Sequence, residues 1–186
     1  MRSMKKWICF ILFLVPLLAM GQRHSKSIGG IDVFGGYTLT HSKAWNAGLG
    51  YMNYLSSKDI LKVQGEYSQF VKKLYDSSFT MKDYAINLEY LRTVYSNENN
   101  LYLNIGIGAR GGYEDIAGAK EYLNTDGKVA NIKSRFYAAP VVVGEFEFFV
   151  LPKTAFIFHA KECYSPMSDV RKWNTSVEVG IRQLIF

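Results

Sequence analysis

The sequence predicts an all-β chain: an eight-stranded antiparallel up-and-down outer-membrane β-barrel after a cleaved signal peptide. Three observations carry that prediction. Apolar and polar residues alternate with period two, short and long connections alternate between the strands, and the polar face combines glycines with charges of both signs. Composition agrees: of 186 residues 48% are hydrophobic and 15% aromatic, with 13 Tyr and 12 Phe, and aromatic residues favour strands. A charged fraction of 20% with 16 Gly and only 4 Pro excludes a disordered chain, a collagen repeat and a coiled coil.

Residues 1–21 read as a signal peptide, leaving 22–186 as a single barrel domain. Arg2, Lys5 and Lys6 precede an apolar run from Trp7 to Ala19, and Ala19 and Gly21 supply the small residues of a cleavage site after Gly21. The run spans 13 residues, short of the roughly 20 that cross hydrocarbon as a helix. Cleavage removes 3 of 22 basic residues and no acid, so the mature chain carries 19 against 16, a net +3. Those charges are scattered, which argues against direct nucleic-acid binding. Cys9 leaves with the signal and Cys163 stays alone, so neither a disulfide framework nor a zinc site is available.

The strands follow in order. The first, Ile28 to Tyr37, is Gly-rich, and its faces are weakly marked. In the second, Trp45, Ala47, Leu49 and Tyr51 oppose Asn46, Gly48 and Gly50. In the third, Leu61, Val63 and Tyr67 oppose Lys62, Gln64, Glu66 and Ser68; in the fourth, Tyr84, Ile86, Leu88 and Tyr90 oppose Asp83, Ala85, Asn87 and Glu89. The fifth alternates most strictly, with Leu101, Leu103, Ile105, Ile107, Ala109 and Tyr113 against Tyr102, Asn104, Gly106, Gly108, Arg110, Gly112 and Glu114. The sixth sets Phe146 and Phe148 against Glu145 and Glu147, and the seventh sets Phe156, Phe158 and Ala160 against Ile157, His159 and Lys161. The eighth opposes Trp173, Thr175, Val177, Val179 and Ile181 to Asn174, Ser176, Glu178, Gly180 and Arg182. Leu184 and Phe186 fall out of phase with that stripe, which predicts a bulge or register change in the last strand.

Connections two, four and six are short, at 56–59, 96–100 and 151–153, whereas one, three, five and seven are longer, at 38–44, 72–78, 115–133 and 164–172. Outer-membrane barrels have this asymmetry, with short periplasmic turns and long outer loops. Alternation alone does not say which face meets lipid, because a soluble barrel turns the same apolar stripe inward. The polar face decides it. Its glycines (Gly48, Gly50, Gly106, Gly108, Gly112, Gly144, Gly180) suit a crowded lumen, and its charges can neutralise one another there. Glu89, Arg110, Glu114, Glu145, Glu147, Lys161, Glu178 and Arg182 are the expected lumen charge network. Trp45, Tyr54, Tyr75, Tyr95 and Trp173 lie near strand ends as interfacial aromatics, and the terminal Phe186 fits the mark that barrel-assembly machinery reads. An eight-stranded lumen is filled by side chains, so a diffusion pore is not expected, and the functional surface falls to the loops, above all 115–133.

No catalytic constellation emerges. Gly106, Gly108 and Gly111 match a dinucleotide fingerprint in spacing, but alternation continues to Tyr113 and no helix follows to hold a pyrophosphate. His24, His41 and His159 lack metal-site spacing, and His159 reads as a lumen residue. The chain is expected to be no enzyme and to use no cofactor, metal or small-molecule substrate.

The opening Ile28–Tyr37, the central Tyr102–Glu114, the stretch Gly144–Lys153, Phe158–Glu162 and the ending Val179–Phe186 together resemble the TraO family of conjugal-transfer proteins. The resemblance implies a non-enzymatic outer-membrane component of a conjugative transposon's type IV secretion-like DNA-transfer apparatus. Its partners would be outer-membrane lipid and other conjugation-apparatus proteins, contacted through loops and rims. The family implies no catalytic residues. Two other readings fit the residues: a general small outer-membrane barrel for adhesion or envelope integrity, and a soluble periplasmic β-barrel binding an apolar ligand.

Overall fold

A computed structural model of the chain describes residues 24–40, 44–74, 77–97, 99–116, 122–123, 129–130, 134–168 and 172–185. Eight long strands close into one antiparallel barrel. They are β1 (Gly29–Thr38), β2 (Trp45–Tyr54), β3 (Asp59–Leu74), β4 (Ser77–Ser96), β5 (Leu101–Ile116), β8 (Arg135–Leu151), β9 (Thr154–Tyr164) and β10 (Trp173–Ile185). A minor pair, β6 (Tyr122–Leu123) and β7 (Val129–Ala130), lies in the longest connection. Each barrel strand pairs with its chain neighbours, and β1 closes on β10 from Gly29↔Ile185 to Thr38↔Ser176.

Cross-strand partners followed once around the barrel run from Trp45 through Tyr37, Val177, Ala160, Gly144, Ile105 and Arg92 to Asp59. Asp59 closes its hairpin on Leu55, so the circuit returns to the β2 side displaced from position 45 to position 55. A stagger of that size over eight strands tilts them by about 40° and leaves an interior that side chains fill. The same ten positions give a wall about 25 Å tall, the height of a membrane band.

The pleat sends the apolar stripe outward. Ile86, Ile105, Ile107, Val142, Phe158 and Val179 are exposed, while Asp32, Lys62, Glu89, Glu145, Glu178 and Arg182 are fully buried. Aromatic rings touch one another along the loop-side rim: Trp45 with Tyr67 at 5.4 Å, Tyr67 with Tyr84 at 5.2 Å, Tyr113 with Phe136 at 4.8 Å and Tyr164 with Trp173 at 4.7 Å. Charges inside and hydrocarbon outside are the inverse of a soluble barrel and are what lipid requires of a closed sheet.

Several details differ from the sequence expectation. The third connection is not a long loop, because β3 and β4 stay paired to Leu74↔Ser77. That ribbon extends past the last β4–β5 pair, Met81↔Ile116, and outside the membrane band a ribbon needs no apolar stripe to announce it. Gly144 lies on the outward face, in phase with Val142 and Phe146, not on the lumen face. Tyr54 is fully buried in the lumen instead of joining an aromatic girdle. The last strand carries no bulge: β10 keeps register with both neighbours, so Leu184 points into the lumen and is 3% exposed. Register shifts occur instead at Thr93/Tyr95 and Phe149/Leu151. The expected signal peptide 1–21, His41, Tyr75, Phe186 and most of the connection 115–133 lie outside the described residues.

A charge on the outer wall separates the lipid-facing assignment from its inverse. Ile105→Arg, at a position 53% exposed, should lower stability by about 2–4 kcal/mol in urea unfolding from lipid vesicles. An unchanged midpoint would mean that this wall does not face hydrocarbon.

Candidate functional site

The candidate site is the lumen and the two mouths that it closes. Its geometry follows from the pleat, because alternate residues of all eight strands must share a narrow interior. Glycines make that possible on one side. A Cβ added at Gly108 would lie 3.1 Å from both Cα and Cγ of Glu89, and one at Gly180 would lie 2.8 Å from the Cβ of Phe34. Closer still are the backbone oxygen of Leu88 to the Cβ at position 108 and that of Val33, 2.5 Å from the Cβ at 180, so a larger residue would collide first with the neighbouring strand.

Three ionic layers fill the space. In the layer nearest the loops, Arg110 grips Glu66 with both terminal nitrogens at 3.0 Å, reaches Asp83 at 2.8 Å and donates through Nε to Tyr137 at 2.7 Å. Two parallel N–H···O bonds give this contact a fixed orientation that a lysine would not supply. Lys161 bridges Glu66 at 2.6 Å and Glu178 at 2.8 Å, which passes the network to the next layer.

In the middle layer His159 Nδ1 lies 3.1 Å from Glu178, and its Nε2 lies 3.3 Å from Lys62 Nζ and 3.5 Å from Glu89. Lys62 sits between Glu89 at 3.4 Å and Glu145 at 2.5 Å. In the third layer Arg182 holds Asp32 through Nε and Nη2, each at 2.8 Å, and reaches Glu145 and Glu147 through Nη1 at 3.0 Å.

The network ends on an aromatic floor. His24 Nε2 meets Glu147 at 2.9 Å, and its ring stacks on Tyr102 with centroids 3.7 Å apart and lies 4.2 Å from Tyr54. Tyr54 donates to Glu147 at 3.0 Å. Phe149, Ile60, Leu91 and Leu184 complete an apolar layer beneath the charges. The segment before β1 is held there by backbone bonds from Ser27 N to Tyr54 O at 2.8 Å and from Tyr54 N to Ile28 O at 2.9 Å. Ser27 makes this turn with φ 70, in the left-handed region.

All eight residues expected in the lumen network are therefore placed inside the barrel. Glu89, Arg110, Glu145, Glu147, Lys161, Glu178 and Arg182 come together in the connected layers. Glu114 lies at the outer end, where its carboxylate accepts Ser168 Oγ–H at 3.0 Å. Sequence reasoning left Asp32, Lys62, Glu66 and Asp83 outside the named network, although Lys62, Glu66 and Asp83 already stood on polar strand faces and parity would have found them. His24 had no such signal, because it precedes the first strand. Among the described residues eight buried carboxylates meet four buried Lys or Arg side chains and two imidazoles, and no cluster suited to a metal ion is present.

The apolar outer wall, the aromatic rim and the ion-filled axis define a class: a small outer-membrane-type β-barrel with a plugged lumen. Within that class the chain belongs to the family described as conjugative transposon protein TraO, matched over residues 20–185. The fold is similar to the N-terminal β-barrel domain of OprF from Pseudomonas aeruginosa, with a TM-score of 0.53 at 9% identity over 86% of this chain and 98% of that one. Ail, the attachment invasion locus protein of Yersinia pestis, solved with the heparin analogue sucrose octasulfate, gives a TM-score of 0.49 at 15% identity over 87% and 99% of the two chains. A de novo designed transmembrane β-barrel gives 0.45 at 14% identity over 87% and 98%. No curated protein matches the sequence.

Removing the central cation of the third layer tests what the network contributes. Arg182→Met leaves Asp32, Glu145 and Glu147 without their shared partner, so it should cost about 3–5 kcal/mol in urea unfolding from detergent micelles. Adding Asp32→Asn to that variant should recover part of the loss; full stability of Arg182→Met alone would show that the layer is not held by this residue.

Proposed function

We propose that this protein is a non-enzymatic outer-membrane component of a conjugative transposon's DNA-transfer apparatus, exported by a signal peptide cleaved after Gly21. Family membership supports the conjugation context. The observation that carries the mode of action is the sealed interior. From Asp83 to His24 the axis is occupied by charged and aromatic side chains in mutual contact. Such a lumen offers no path for a nucleic-acid strand, and its excess of carboxylates repels a polyanion. The protein accordingly acts by presenting surfaces to lipid and to other apparatus proteins, with its loops and rims as contact regions. The eight-residue lumen network serves as the rigid plug that holds those surfaces in place and takes no part in chemistry.

The charge network also distinguishes this reading from a soluble carrier. An apolar-ligand carrier needs an apolar cavity along the axis, whereas here Lys62, Glu145 and Arg182 occupy it.

Several measurements test the proposal together. The mature protein should begin at Gln22 in N-terminal sequencing, fractionate with outer membranes, and migrate faster on gels unheated than boiled. In planar bilayers it should produce no sustained open-channel current. Deletion of its gene should reduce transfer of the element at least tenfold, with recovery on complementation. Recovery as a soluble periplasmic monomer, or transfer unaffected by the deletion, would overturn the proposal.

A further inference from the structure

We infer that the outer wall spanning β5, β8, β9 and β10 is a docking site for a membrane-embedded segment of another protein, one that carries a Lys or Arg side chain to Glu162. The inference rests on the membrane placement proposed above and adds a partner surface on the barrel wall to the loops and rims already named.

Glu162 is the starting observation. It lies on β9 two positions below Tyr164, whose ring packs on Trp173 at the loop-side rim, and it pairs across the sheet with Val142, an exposed wall residue, and with Thr175. Every other outward position between that rim and the Asp59–Arg92 pair at the opposite edge lacks a carboxylate or basic group, among the described residues. Lys82 and Asp115 lie one outward position beyond the ring-bearing Tyr84 and Tyr113. Glu162 is thus an isolated charge on a hydrocarbon-facing wall, where ionisable groups are costly and mark sites of use. Its neighbour Thr175 donates a hydrogen bond to Glu162 Oε2 at 2.5 Å, which fixes the carboxylate against the wall, and among the described residues no basic side chain forms an ion pair with it.

Beneath this pair the wall is hollow. Gly144 and Ala160 are cross-strand partners on the outward face, and a Cβ added at Gly144 would meet nothing within 4 Å. Ile105, Ile107 and Val142 flank them, and the resulting shallow, open depression has a volume of about 620 Å³, with Glu162 and Thr175 among its lining residues. Small residues at the floor let another backbone approach closely, which is how membrane-embedded segments associate when no hydrophobic driving force separates protein from lipid.

Charge selects the occupant. Anionic lipid headgroups would be repelled by Glu162. A second copy of this chain offers no unmatched cation: among the described residues its outward basic groups nearest the wall are Arg92, at the far edge beside Asp59 at 3.8 Å, and Lys82, beyond the loop-side rim and cross-strand from Asp115. An apolar segment with a Lys or Arg fits, because its aliphatic stem can lie along the groove while the head reaches the carboxylate near the rim.

The test uses the full chain in donor cells that carry the complete element, with a photo-crosslinking amino acid at position 107 in the groove wall or at position 63 on the far wall. Only outer-membrane material is scored. The expected result is one protein adduct at position 107, at least tenfold stronger than at position 63. Mass spectrometry should find a membrane-embedded stretch bearing Lys or Arg in that adduct. Glu162→Leu should reduce it at least fivefold while heat-modifiable migration of the barrel is retained; if Glu162→Leu does not fold, the near-isosteric Glu162→Gln replaces it. Adducts only with lipid, only with a second copy, or with a protein lacking such a stretch would overturn the inference, as would an adduct indifferent to Glu162. The adduct is read independently of transfer frequency. A gene deletion without effect on transfer would therefore end the conjugation role but leave this result standing, whereas failure of the protein to reach the outer membrane would overturn both the membrane placement and this inference.

Discussion

The structure depends on one constraint: eight strands staggered as these are enclose an axis too narrow for water-filled space and too polar for an oil core. Inward charges must then find their partners within the barrel. Burying an unpaired charge costs more than any single strand pair returns, so the lumen holds shared ions, with each cation touching two or three acids. Arg110, Lys161, Lys62 and Arg182 are spread along the axis instead of clustering, and each carboxylate layer is thereby bridged to the next. The backbone needs no further partner because the sheet is closed.

From the same constraint follows what the molecule can do. Among the described residues a filled axis leaves no open channel, which supports the proposal that the exterior is the working surface. Gly108 and Gly180 let the neighbouring strand approach closely and leave room for Glu89 and Phe34. The outer surface has its own pattern. Aromatic pairs mark the loop-side rim, an acid–base pair marks the opposite edge, and between them, among the described residues, one carboxylate departs from an apolar field.

Much of this was legible from parity. Where apolar and polar residues alternate cleanly, as along Leu101–Glu114 and Trp173–Arg182, each side chain's direction follows from its place in the strand. The errors arose where local patterning carried no direction. Gly144 has no side chain to declare a face, and only its phase with Glu145 shows that it points outward. Tyr54 is amphipathic and suits either an interface or a buried hydrogen bond, and its distance from Glu147 settles which. Leu184 looked out of phase because an apolar residue was expected to face lipid, whereas the floor of the lumen is itself apolar. The β3–β4 ribbon stands beyond the membrane band, where sequence alternation is under no pressure to exist.

The amino-acid sequence by itself determined the strand count, their order, the up-and-down connectivity and the two faces, because period-two alternation is a local property that the pleat converts directly into direction. Which charges meet was decided only by the closed sheet. Arg182 and Asp32 are adjacent in space yet lie at opposite ends of the chain, and His24 reaches Glu147 from outside any strand. Such pairings depend on stagger and closure, which are properties of all eight strands together and are written in no single segment.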